Sequence, residues 1–240
     1  MPKDITALAV RPKAVSLLNV KIAITFFVLH FVSQVAIHLF GVKETFYQDF
    51  FVAINMDEEF NLAAFYSGFL LASISFLLGK LELSGPRKER SDWSLLSKIF
   101  LFLAIDEIFQ IHELFVIPSL RDYVHLALTS IWVIPYGILS IGLLWRFRDF
   151  LRRLPEQTSR LFIAGGLVYV SGAIGMEMVS SYLVSSGAIR LSGFCYEALA
   201  GGEELLEMVG LIVFMHALLR ELVLRNQKLE LRFLLVGNKP

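Results

Sequence analysis

The sequence predicts an all-α polytopic membrane protein: one bundle of six transmembrane helices with both termini on the cytoplasmic side. Three observations carry that expectation. The composition is membrane-like: 56% of the 240 residues are hydrophobic, 21 are Phe and only 18% are charged. The mean hydropathy is +0.64, whereas soluble domains are usually about 45–50% apolar. The apolar residues gather into six runs near the ~20 residues that cross a hydrocarbon core of ~30 Å. The basic residues, finally, crowd to one side of those runs.

The elements follow in order. The N-terminal stretch is polar or mixed, and the first long apolar run, Ile22–Phe40, has spanning length, so it reads as an uncleaved first helix rather than a signal peptide. It carries His30, Gln34 and His38 four residues apart, on one stripe. The loop after it is acidic (Glu44, Asp49, Asp57, Glu58, Glu59) and reads as a solvated face. Span two, Leu62–Leu78, opens after Asn61, a residue type that caps helices. Span three, Leu95–Ile117, contains Asp106, Glu107, His112 and Glu113. Span four is Leu126–Trp145. Span five, Leu161–Leu183, sets Gly165, Gly172 and Gly175 on one side, which permits close helix approach, and carries Glu177. Span six, Tyr196–Leu219, holds the run Glu203-Glu204-x-x-Glu207, with His216 pointing nearly the opposite way. Met176, Met178 and Met208 read as packing residues. Short connections imply antiparallel neighbours. No repeat, low-complexity tract or boundary divides residues 1–240, so a single transmembrane domain is expected.

Orientation follows from the basic residues. Of the 22 Lys and Arg, only Lys43, Arg121 and Arg190 fall in the first, third and fifth loops. The rest lie on the N-terminus, the second and fourth loops and the C-terminus, which the positive-inside rule makes cytoplasmic. Those basic segments also suit anionic lipid headgroups. A net charge of zero gives no sign of a nucleic-acid partner.

The ionisable residues inside the spans are the functional signal. A charge at the bilayer centre costs about 2.5–3.5 kcal/mol even on the lenient insertion scale, and such residues face a bundle interior or cavity. At ~1.5 Å per residue from Lys98, Asp106 and Glu107 lie roughly 12–14 Å above the inner boundary, and Glu113 roughly 22 Å. The same reckoning predicts an outer layer of Glu113, Glu177, Glu203, Glu204, Glu207 and His38, and a deeper layer of Asp106, Glu107 and His30.

No Lys or Arg lies in a span core, so the carboxylates must share protons, accept hydrogen bonds or bind a cation. Carboxylate-rich ligation suits a hard or borderline divalent ion such as Mn, Fe, Mg or Zn. Glu113, Glu204 and Glu207 are the expected core ligands, with Glu203, Glu177, Asp106 and a histidine, His112 or His38, around them. A metal-bound water there would act on an amphipathic substrate entering from the outer leaflet. Two other functions stay open. One is a proton- or cation-coupled transporter with Asp106, Glu107, Glu113 and His30 as a relay. The other is a non-catalytic assembly subunit. The single cysteine, Cys195, excludes an intrachain disulfide and a Cys-based metal site. Di-iron carboxylate bundles need Glu-x-x-His on two helices, and the chain has none. Gly-rich phosphate loops, zincin motifs and haem-type histidine pairs are also lacking.

Three segments, Glu58–Asn61, Ile105–Glu113 and Glu203–Met208, resemble a group of bacterial multi-pass membrane proteins of unknown function. Those proteins pair an Asp/Glu-x-x-Asn entry to span two with a Leu-Asp-Glu…His-Glu span and a late Glu-Glu-x-x-Glu-Met run. The resemblance covers spans two, three and six and departs at Ile105 and at Ala63-Ala64. It implies a bacterial cytoplasmic membrane and no particular activity.

Overall fold

The computed structural model describes residues 6–9, 11–42, 48–58, 60–115, 120, 123–225 and 230–233. The described chain is almost entirely helical. The helices are α1 (Pro12–Phe40), α2 (Gln48–Ile54), α3 (Leu62–Ser84), α4 (Arg87–Phe109), α5 (Val133–Arg153), α6 (Glu156–Val170), α7 (Glu177–Ser185) and α8 (Phe194–Leu224). A stretch of wider π-helix, Ser171–Met176, joins α6 to α7 without a break. Two short strands, β1 (Thr6–Ala9) and β2 (Glu230–Phe233), pair antiparallel and bring the two ends of the chain together.

Local chemistry sets the helix ends. Pro12 occupies the first turn of α1, where a missing N–H costs nothing, and Gly41 ends that helix with φ 65°. The Asn61 side chain accepts the Ala64 N–H at 2.9 Å and caps α3. Pro86 and Pro155 stand directly before α4 and α6 and confine each turn to a few residues.

Among the described residues, three helices are long and apolar enough to cross a membrane: α1, α3 and the continuous helix Glu156–Ser185. The others of spanning length, α4 (23 residues), α5 (21) and α8 (31), carry more charge. α3 lies at the centre, with Leu70, Leu71, Ile74, Leu78 and Leu81 fully buried against Met208, Leu218 and Leu222 of α8. α3 and α4 form a tight hairpin, closed midway by Ser75 and Ser97. Each hydroxyl donates to the other's carbonyl, at 2.8 and 2.9 Å. α6 lies along α8 through glycines. A methyl placed on Gly165 would stand 2.9 Å from the Gly210 carbonyl oxygen, and one on Gly210 would stand 2.5 Å from the Tyr169 nitrogen.

α5 is the exception. It touches α4 and α6 sparsely along its length and is anchored at its C-terminal end. There Arg146 and Arg153 donate to the two oxygens of buried Asp92, at 3.0 and 2.7 Å. Beside this anchor, buried Glu221 accepts from Thr158 and from Arg225, each at 2.8 Å, and Arg225 reaches Glu89 at 2.7 Å.

Two expected boundaries are corrected. The third apolar run does not continue as helix to Ile117. α4 starts earlier, at Arg87, and ends at Phe109, where Gln110 adopts φ 49° and turns the chain into a 3-10 segment, Ile111–Phe115. The fourth helix starts at Val133 rather than Leu126, because residues 126–128 form a separate 3-10 turn capped by His125.

Candidate functional site: an acid-lined chamber between α4, α5, α6–α7 and α8

The early end of α4 builds the site. Asp106 lies in its last turn, and its Oδ1 accepts the backbone N–H of His112 at 2.8 Å, which satisfies a donor freed by the reversal. The second oxygen stands 3.4 Å from His112 Nδ1. That imidazole packs on Trp132, with ring centroids 4.9 Å apart, and beside Tyr136. Asp106 thereby fixes both the turn and the ring.

α8 supplies the opposite wall. Glu203, Glu204 and Glu207 face the same space as Asp106, Glu107 and Glu177, together with His112. Glu207 is buried, and one Glu204 oxygen is buried without a hydrogen-bond partner among the described residues. The carboxylates of Glu107, Glu204 and Glu207 are near enough to repel one another. Gly172, inside the π-helical stretch, allows that approach: a methyl there would stand 2.9 Å from Glu207 Cγ and from the Glu203 carbonyl oxygen. The expected glycine stripe therefore holds at two of its three positions. Gly165 and Gly172 meet α8, while Gly175 faces its own helix.

The two predicted layers meet in one space. Asp106 and Glu107 share one chamber with Glu203, Glu204 and Glu207. The Glu113 side chain lies outside the described residues. His38 is exposed near the end of α1, edge-on to Phe194, and is not part of the chamber wall. His30 is fully buried elsewhere. Its Nδ1 accepts the Met56 N–H at 3.1 Å and its Nε2 donates to the Glu197 carbonyl at 2.8 Å, bracing α1 against α8 and the entry to α3. Among the described residues, no group of three or more His, Cys, Asp or Glu side chains is arranged to hold a metal ion.

The chamber has about 980 Å³, at the upper end of the roughly 300–1,000 Å³ usual for ligand pockets. Sequence reasoning missed several of its walls. Tyr136 and Tyr169 line it, as does Ser180, whose hydroxyl is buried without a hydrogen-bond partner among the described residues. A tyrosine or serine within an apolar run is a weak signal, because such residues also serve ordinary packing.

Residues 18–222 match the family described as Domain of unknown function (DUF8692). The chain belongs to that family. No match was found among curated proteins or solved structures. The family match spans every helix that builds the chamber, so the chamber belongs to the shared domain rather than to an appendage.

Proposed function

We propose that this protein crosses a bacterial cytoplasmic membrane six times, with both termini in the cytoplasm, and binds a cation in its acid-lined chamber. The cation is a divalent metal held by Glu107, Glu204 and Glu207, with Asp106, His112, Glu177 and Glu203 around them. The observation that carries this reading is the charge imbalance of the chamber. Six carboxylates on α4, α7 and α8 face one space, and the only Lys or Arg among the described lining residues is Lys98, toward the other end of the cavity. Carboxylates kept from bulk water need a counter-charge or must give up their own. A glutamate stem has three rotatable bonds, so side-chain rotation brings these oxygens onto a shared ion while the helices stay in place. Their all-oxygen chemistry favours Mg, Mn, Fe or Zn over Cu.

Several features support the membrane assignment. α4, α5 and α8 have spanning length, and their charges lie at their ends or on the chamber. The outer faces of α1, α3 and α5 expose large apolar side chains such as Val32, Phe69 and Ile141. The β1–β2 pairing puts both termini at one end, as the basic-residue pattern requires.

One observation favours a second reading, cation- or proton-coupled transport. A π-helical stretch lies directly against Glu203 and Glu207, and such irregular turns recur at functional sites in membrane helices. The deciding experiment is elemental analysis of the protein purified in mild detergent, beside Glu113→Gln/Glu207→Gln and Glu107→Gln/Glu204→Gln variants. Stoichiometric metal in the native chain, lost in the variants, is expected. Folded native protein without metal, after incubation with each ion, overturns the metal reading. Proton flux in liposomes then tests the second.

A further inference from the structure

The chamber continues away from its carboxylates. Its wall runs on α8 from Tyr196 to Phe214, roughly 27 Å at ~1.5 Å per residue, close to the ~30 Å of a hydrocarbon core. Beyond the acidic end the lining changes to Ile99, Leu103, Leu143, Phe147 and Ile163, apart from Lys98. The far end is blind. Phe150 and Phe162 lie edge-on to the buried Trp93 indole, with centroids 4.7 and 6.1 Å away, and Asp92 pins α5 to α4 beside them. The long side is loosely closed: α5 stands off from α4 and α6, and lining residues Phe102, Ile141 and Leu167 remain exposed.

We propose that this apolar extension is a tunnel for the acyl chain of a bilayer lipid, which enters sideways past α5 and sets its polar head at the carboxylate end. The occupant follows from the lining. A water-soluble ligand has no use for a blind apolar extension about as deep as one leaflet, and a wholly apolar ligand would leave the acidic end unmatched. A molecule with one polar and one hydrocarbon end matches both. The Ser180 hydroxyl, on a residue only 5% exposed and without a hydrogen-bond partner among the described residues, lines the chamber and offers the head a hydrogen bond. Only the placement of the head rests on the cation reading above; the tunnel stands on its own geometry.

Gly166 gives the test. It lines the tunnel, and a methyl added there meets nothing within 4 Å. Gly166→Phe therefore puts a ring into the space beside the α6 wall of the tunnel, with no clash at its Cβ. The full-length protein is reconstituted in phosphatidylcholine vesicles containing a lysophosphatidylcholine that carries a photoactivatable diazirine near its acyl terminus. Crosslinked residues are then mapped by mass spectrometry. Labelling is expected at Phe150, Phe162 and Leu151, saturable by unlabelled lysophosphatidylcholine. In Gly166→Phe it should fall about tenfold, since displacing two buried methylenes already amounts to that factor. Labelling confined to outer residues such as Ile138 and Leu18, or not saturable at the tunnel, overturns the proposal. Competition in the native chain decides the matter even where the variant fails to fold. Metal content measured on the same samples separates the two readings: tunnel labelling without metal retains the tunnel and removes the cation, and metal without tunnel labelling does the reverse.

Discussion

Gly165 and Gly166 are neighbours in one helix, yet substitution by Ala should move stability in opposite directions. At Gly165 the new methyl would meet the Gly210 carbonyl oxygen at 2.9 Å, the Phe214 nitrogen at 3.0 Å and the Phe214 Cβ at 3.2 Å. At its partner Gly210 the contacts are closer: the Tyr169 nitrogen at 2.5 Å, the Gly165 oxygen at 2.7 Å and the Tyr169 Cα at 2.8 Å. All three are backbone atoms, so no rotamer relieves them. Restoring an ordinary separation of about 3.5 Å requires α6 and α8 to part by about 1 Å. Overpacking of this kind costs about 1–3 kcal/mol, and rigid contacts put Gly210→Ala near the top of that range. The better helix propensity of Ala returns about 1 kcal/mol, which leaves a net loss of about 2 kcal/mol. For a chain of this size that lowers Tm by about 4–8 °C. At Gly166 nothing lies within 4 Å, so only the propensity gain remains, and Tm should rise by about 1–4 °C. Thermal unfolding in detergent, followed by fluorescence of the three Trp, measures both. Equal shifts of the same sign in Gly210→Ala and Gly166→Ala would refute a close backbone contact between α6 and α8.

Two further perturbations separate structural from functional polar groups. His30→Ala removes a bond to the Glu197 carbonyl and strands the buried Met56 N–H, which costs about 1–3 kcal/mol. The variant should unfold at markedly lower temperature while its metal content per folded molecule stays unchanged, and loss of metal in folded protein would instead place His30 in the site. Glu221→Gln removes one of the two carboxylates that hold Arg225 and should cost about 1.5 kcal/mol, the value of one charged hydrogen bond, because Glu89 still neutralises the guanidinium. The deficit should persist in high salt, and a deficit erased by 1 M NaCl, where screening acts within ~3 Å, would show the pair to be solvent-exposed.

Asp106, Glu107, Glu203, Glu204 and Glu207 could be nominated from the sequence, because ionisable groups in apolar runs are costly and seldom unpartnered. Their common chamber could not be laid out correctly. The layout carried an unbroken helix on through Glu113 to Ile117, whereas α4 ends in the αL turn at Gln110. Gln is an uncommon residue in that conformation, so the sequence carries little warning of it. His30 lies outside the chamber wall, on backbone partners. A histidine on an apolar helix looks the same whether it faces a cavity or a neighbouring backbone carbonyl.

What the sequence determined by itself was the helical class, the long apolar helices, the grouping of basic residues along the chain and most of the acids that line the chamber. These follow from composition and from rules acting within one helix. The tertiary structure decided which acids meet, where α4 stops, how closely α6 and α8 approach, and that α5 stands away to leave a long cavity with an acidic and an apolar end. Those outcomes depend on contacts between residues far apart in the chain, such as Gly172 with Glu207 and Asp92 with Arg153. A period or a hydropathy profile carries no record of such pairings.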